Sequence, residues 1–286
     1  MTNSSFLRTT ATCLVMTVLT ACGPAPQIDR AVDTDKIPIT TDSDAALDAF
    51  LKGRWLFDNL RVTDAHEYFQ RAVQEDAEFA LAHLRIANTA PTNQEFFDAL
   101  RRAVETSDGA SEGEKLLISA FEDAVAGNST TQLAKLRALV SLFPEDERAH
   151  NAIGLFYFGQ QDYERAISAY RAAIEVNPAF AQPYNQLGYA LRFVGDYDAA
   201  EEAFQRYTEL IPDQPNPYDS YAELLMKVGR FDESIESYER ALEIDPNFVA
   251  SYVGIGNNQI FMGHSEDARS TFARIDEVAR NDLERR

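Results

Sequence analysis

The sequence predicts an all-α, right-handed superhelical solenoid of about seven helix-turn-helix repeats, and three observations carry that expectation. Pro144, Pro178, Pro212 and Pro246 stand 34 residues apart. Gly154, Gly188 and Gly256, with Ala222 filling the gap, keep the same interval, as do Tyr170, Phe204, Tyr238 and Phe272. The units ending at Pro178, Pro212 and Pro246 close on an Asn-Pro, Ile-Pro and Asp-Pro step, and a proline drives the residue before it out of helical geometry. A fixed period of this length marks an array of stacked helix pairs.

Within a unit, Gly or Ala at the middle of one helix and Ala in the next let two antiparallel backbones approach closely, and large residues on either side fill the gaps. The units read His150-x2-Ile153-Gly154-x2-Tyr157 with Ala166-x3-Tyr170, then Tyr184-x2-Leu187-Gly188-x2-Leu191 with Ala200-x3-Phe204. Tyr218-x2-Tyr221-Ala222-x2-Leu225 with Ser234-x3-Tyr238 follows, and Tyr252-x2-Ile255-Gly256 with Ala268-x3-Phe272 ends the series without its proline. This pattern resembles the tetratricopeptide repeat family. The resemblance covers about residues 46–282 and implies a superhelix whose inner surface holds a peptide or a partner protein. It names no client, because the motif consists of packing residues.

From the N-terminus, residues 1–21 carry one charge, Arg8, then the apolar run Ala11 to Leu19, then Leu19-Thr20-Ala21-Cys22. The arrangement resembles a bacterial lipoprotein signal, which implies that Cys22 is acylated as the first mature residue and anchors the chain to a membrane. A membrane-spanning helix is the alternative, but it needs about 20 apolar residues. The resemblance places the protein in the cell envelope. Gly23, where an Asp would direct retention in the inner membrane, implies the periplasmic face of the outer membrane in a Gram-negative cell. Cys13 leaves with the signal and Cys22 is lipidated, so no disulfide is expected in the mature chain.

Residues 22–43 show no helical or strand period and hold three prolines and four aspartates, so they read as a flexible tether. The solenoid spans 44–286, with repeats near 46–79, 80–110, 113–146, 147–180, 181–214, 215–248 and 249–282. Gly53, Ala65, Phe69 and Ala72 set the first. In the second, Pro91 shortens one helix and Thr92-Asn93-Gln94-Glu95 fits a capping box; in the third, Ser111 with Glu114 and Ser129 with Gln132 do the same. The last repeat is expected to be weaker than the central ones, its amphipathic run Ser265 to Arg286 serving as both core and cap.

Lys and Arg number 26 and Asp and Glu 46, a net charge of −20, which sets the chain against nucleic acid. The sequence holds no His-Glu-x-x-His, Gly-x-Ser-x-Gly, Gly-x4-Gly-Lys-Ser/Thr or Cys-x2-Cys motif, so no cofactor, metal or catalytic residue is assigned. His150 occupies an aromatic repeat position and reads as a packed side chain; acidic runs such as Glu145-Asp146-Glu147 lack the spacing of a cation loop. The expected function is therefore a non-enzymatic scaffold or adaptor of the envelope. An enzyme, or an enzyme's regulatory subunit in cell-wall or envelope hydrolysis, with a site outside known motifs, is the alternative.

The resemblance also implies which residues face a client: those two, five, nine, twelve and thirteen places into each repeat. These are Arg148, Asn151, Leu155 and Phe158; Gln182, Asn185, Tyr189, Arg192 and Phe193; Asn216, Asp219, Glu223, Met226 and Lys227; and Val253, Asn257, Ile260 and Phe261. The amides of Asn151 and Asn185 suit the backbone of an extended peptide, Phe158, Tyr189, Phe193 and Met226 its side chains, and Arg192 and Lys227 an acidic group.

Overall fold

The computed structural model describes residues 36–279; the expected lipidation site Cys22 lies outside them. Fourteen helices form seven pairs: α1 (Asp44–Asp58) with α2 (Val62–Glu75), α3 (Ala80–Thr89) with α4 (Asn93–Glu105), α5 (Glu112–Val125) with α6 (Ser129–Leu142), and α7 (Glu147–Gly159) with α8 (Tyr163–Val176). Then come α9 (Gln182–Val194) with α10 (Tyr197–Leu210), α11 (Pro215–Lys227) with α12 (Phe231–Ile244), and α13 (Val249–Phe261) with α14 (Ser265–Ala273), followed by the short α15 (Ile275–Val278). Each helix packs on the next, and first helices also touch from repeat to repeat, as α7 does α9 and α11 does α13. The first helices thus line the inner face of the array.

The small residues do what their spacing predicts. A Cβ added at Gly188 would lie 2.7 Å from Cζ of Phe204, and one at Gly154 2.5 Å from Cε1 of Tyr170, both closer than atoms can approach. Where Ala222 takes the glycine's place, Tyr238 joins Ala222 and Ile255 in one core cluster, and its ring presses on Gly254 of the next repeat. The junction prolines have a second role that spacing alone did not suggest. Their carbonyls accept from the aromatic six residues on: Tyr184 to Pro178 (3.2 Å), Tyr218 to Pro212 (3.1 Å) and Tyr252 to Pro246 (3.0 Å). His150 Nε2 lies 2.7 Å from the Pro144 carbonyl in the same way, which accounts for a histidine at that position.

Local starts and stops differ from expectation in three places. Thr92 caps α4, but the Glu95 carboxylate is drawn to Gln70 (3.1 Å) and His66 (3.1 Å) instead of completing a box. Asn128, not Ser129, stands before α6 and makes no side-chain cap, whereas the Ser111 and Glu114 box forms in full. The run from Ser265 is not one helix, since α14 stops at Ala273.

The larger difference lies at residues 36–43, the end of the segment expected to be a free tether. Here the chain runs back along three repeat junctions, its polar groups taken up by carboxylates and a serine. Ile37 N donates to Asp146 Oδ2 (3.0 Å), Thr40 N to Glu114 Oε1 (3.0 Å), Ser111 Oγ to the Pro38 carbonyl (2.9 Å), and Lys36 pairs with Glu147 (2.7 Å). Thr41 donates to Asp76 and Ser43 caps α1. The Ile37 side chain presses on Gly113, another position where a Cβ would not fit.

The turn after α1 completes this closure. Turns within the third, fifth, sixth and seventh repeats place glycine in the left-handed region, as at Gly195 (φ 84°), but the fourth has Gln161 there (φ 60°) and the first Leu60 (φ 62°). A leucine in that conformation costs about 1 kcal/mol. Its side chain packs against the cluster of Ala181, Tyr207 and Ile211, four repeats on, which offsets the strain. Beside it Asp58 pairs with Arg148, and Gln182 Nε2 reaches the Phe57 carbonyl (3.5 Å).

Candidate functional site

The inner face divides into two stretches according to what the first repeat covers. Residues two places into the fourth, fifth and sixth repeats are all engaged within the chain. Arg148 pairs with Asp58 and Glu147 and stacks over Phe180, Gln182 meets α1, and Asn216 accepts from Tyr207 Oη (3.0 Å). Burial opposes ionisation of Glu147, yet the Arg148 guanidinium and the Lys36 ammonium outweigh it and hold the carboxyl down at about 2. Arg148 and Gln182 thus tie the first repeat to the fourth and fifth, and Asn216 ties α11 to α10.

Three places further along the same helices, Asn151, Asn185 and Asp219 hold equivalent positions on α7, α9 and α11. Asn151 is only 7 % exposed, and its Oδ1 and that of Asn185 are buried without a hydrogen-bond partner. Leaving such an acceptor unpaired costs about 1–3 kcal/mol, so a small side-chain rotation that brought either oxygen to a donor would be favoured. Asp219, 6 % exposed, accepts from Ser251 Oγ (2.7 Å); burial pushes its carboxyl up to about 6, the serine opposing and Glu223 adding to the shift.

Toward the other ends of these helices the face becomes aromatic and open. Leu155 is exposed, and Phe158 meets Phe193 (5.8 Å), which stacks on Tyr163 at 4.7 Å and 11°. Tyr189 donates to Ser220 (3.2 Å), and Arg192 lies over the Tyr189 and Phe193 rings while pairing with Glu223 (3.0 Å). Arg192, Phe193, Glu223, Met226 and Lys227 then line a cavity of about 540 Å³ together with Tyr197, Phe231 and Phe261. Phe193 and Phe261 are 53 % and 65 % exposed. Tyr197 and Phe231, the first residues of α10 and α12, were not among the expected site residues. Their signal was in the sequence, since Tyr163, Tyr197 and Phe231 stand 34 apart, but they belong to second helices. A shallower hollow of about 350 Å³ on the second repeat is lined by Thr92, Glu95, Asp98 and Arg102, most of them already paired locally.

Among the described residues, no group of three or more His, Cys, Asp or Glu is placed to hold a metal ion, and no helix is long and apolar enough to cross a membrane.

Family models for tetratricopeptide repeats match residues 154–192, 181–214 and 222–248. No curated protein sequence matches the chain. Among solved structures, MamA is similar at 22 % identity over 55 % of this chain and 92 % of that one, with a TM-score of 0.50. MamA from Desulfovibrio magneticus RS-1 is 15 % identical over 60 % and 98 %, at 0.54. A chain of the APC/C hetero-tetramer Cut9-Hcn1 is 19 % identical over 79 % of this chain and 44 % of its own, at 0.57. These likenesses speak to the fold, and together with the matched repeats and the seven helix pairs they place the chain in the tetratricopeptide repeat family.

Proposed function

We propose that this protein is a non-enzymatic adaptor of the bacterial cell envelope, which holds an extended segment of a partner protein along the inner face of its fourth to seventh repeats. The observation that carries this is the pair of buried, unpartnered amide oxygens at Asn151 and Asn185, one repeat apart on adjoining first helices. Backbone N–H groups of an extended segment are donors of the kind these oxygens lack. The exposed apolar side chains beside them, Leu155 and Phe193, supply contact for its side chains. Acylation of Cys22 would tie the adaptor to the periplasmic face of the outer membrane, a proposal that rests on Leu19-Thr20-Ala21-Cys22.

A photo-crosslinking residue at Leu155 in the full chain should capture a defined set of envelope proteins that the same residue at Glu236, exposed on α12, does not. Asn185→Ala should reduce that capture severalfold. Equal capture from both positions would reject the inner face as the site. Mass spectrometry should find lipid on Cys22, and a Cys22→Ala protein that still fractionates with membranes would reject the anchor.

A further inference from the structure

The edge of the array where first and second helices meet carries a ladder of ring pairs. Each rung joins the first residue of a second helix to the residue thirteen places into the next repeat's first helix. Two rungs close as stacks: Tyr163 with Phe193 at 4.7 Å and 11°, and Phe231 with Phe261 at 5.8 Å and 18°. Between them the rung Tyr197 and Lys227 does not close, because Lys227 stands where the flanking rungs have phenylalanine. The missing ring leaves the cavity of about 540 Å³, within the range of pockets that seat a specific ligand group.

The charges of the cavity are unevenly committed. Arg192 is taken by Glu223 (3.0 Å) and by the faces of Tyr189 and Phe193. Lys227 is exposed and makes no ion pair among the described residues. An ammonium at the mouth of an aromatic-walled slot offers a carboxylate a charge-assisted bond while the slot takes an apolar side chain. The cavity also continues the amide-bearing floor, because Asn185, Tyr189 and Arg192 recur at helical spacing along one face of α9. The net charge of −20 limits the ligand further: a long acidic tract would be repelled by the chain as a whole, so one carboxylate next to an apolar anchor fits better.

We propose that this open rung is the specificity pocket for the partner, and that it selects an aromatic or large aliphatic side chain with an Asp or Glu one or two residues away. The inference rests on the adaptor reading above and adds the chemistry of the client to it.

The test is a random twelve-residue peptide library displayed on phage and selected on the full-length chain, followed by titration of the most enriched peptide. Enriched peptides should pair an apolar anchor with an acidic residue. Changing that residue to its amide should weaken binding about tenfold, as should Lys227→Glu, while Lys227→Arg keeps the preference. Phe261→Ala should relax the choice of anchor but not of the acid. Peptides that enrich without an acidic residue, or that bind Lys227→Glu as well as the parent, would overturn the pocket's assignment while leaving the groove intact, provided Asn185→Ala still weakens them. A selection that enriches nothing, or only peptides indifferent to Asn185→Ala, would overturn the groove and with it the pocket. Lys227 is exposed and buries no partner, so thermal melts of its variants should match the parent and exclude misfolding as the cause.

Discussion

The array up to Arg148 on α7 and the array from Asn151 onward are built to one plan, yet the inner face is used in opposite ways. In the N-terminal half it is occupied by the protein itself: residues 36–43 run across three junctions, and the turn at Leu60 reaches the cluster of Ala181, Tyr207 and Ile211. In the C-terminal half the same face carries unpartnered amides, exposed rings and an open cavity. Position within a repeat sets which way a side chain points. Whether it meets solvent, a partner or another part of the chain depends on contacts between repeats far apart in sequence.

Arg148→Ala attacks the closed half most directly, since it leaves Asp58 and Glu147 half-buried or buried with fewer counter-charges. Breaking such a pair costs about 3–5 kcal/mol where both groups are desolvated, and denaturant titration should register a loss toward the lower end of that range. Crosslinking from Leu155 should be unaffected if the halves are independent, and its loss would show that closure shapes the groove.

Gly188→Leu attacks the open half, with its Cβ already 2.7 Å from the Phe204 ring, and should cost about 1–3 kcal/mol or more. An unchanged melting temperature would mean that the ring moves aside freely and that the repeats are less tightly paired than described.

The two halves should also respond to acid with opposite signs. The Asp219 carboxyl is raised by burial to about 6, so between its unfolded value and 6 the folded chain binds the extra proton. Its contribution therefore rises as pH falls through 6, by up to about 3 kcal/mol. Glu147 is held at about 2, so its contribution is present above its unfolded value and is lost as pH falls toward 2. Hydrogen exchange at pH 7, 5 and 3 should show α11 gaining protection at the first step and α7 losing it at the second. Asp219→Asn should abolish the gain alone.

The smallest effect separates the last repeat from its neighbours. Because α14 has nine residues where α12 has fourteen, amides of α14 should exchange faster than those of α12 by a few-fold or more. Equal protection would indicate a contact over that end.

What the sequence determined by itself were the packing contacts that recur from repeat to repeat within about one period. Gly188 and Phe204, or Pro178 and Tyr184, meet because they are 16 and 6 residues apart in a unit whose geometry is repeated. Such contacts leave a periodic trace that a ruler of 34 residues recovers, and with them came the helix pairs, whereas the hydrogen bonds of His150 and the matching tyrosines to the junction prolines emerged only from the structure. What only the tertiary structure decided were the contacts with no period: Asp58 with Arg148 across 90 residues, Gln182 with Phe57 across 125, and the docking of Ile37 against Gly113 and Asp146. Each occurs once, at a distance set by the curvature of the stacked repeats. Curvature accumulates from small rotations at every junction, including the irregular second and third repeats, and single side-chain spacings do not encode that sum. The open rung at Lys227 lies between the two cases. Its residues were legible, but that they border a cavity follows from the stacks that close on either side of it.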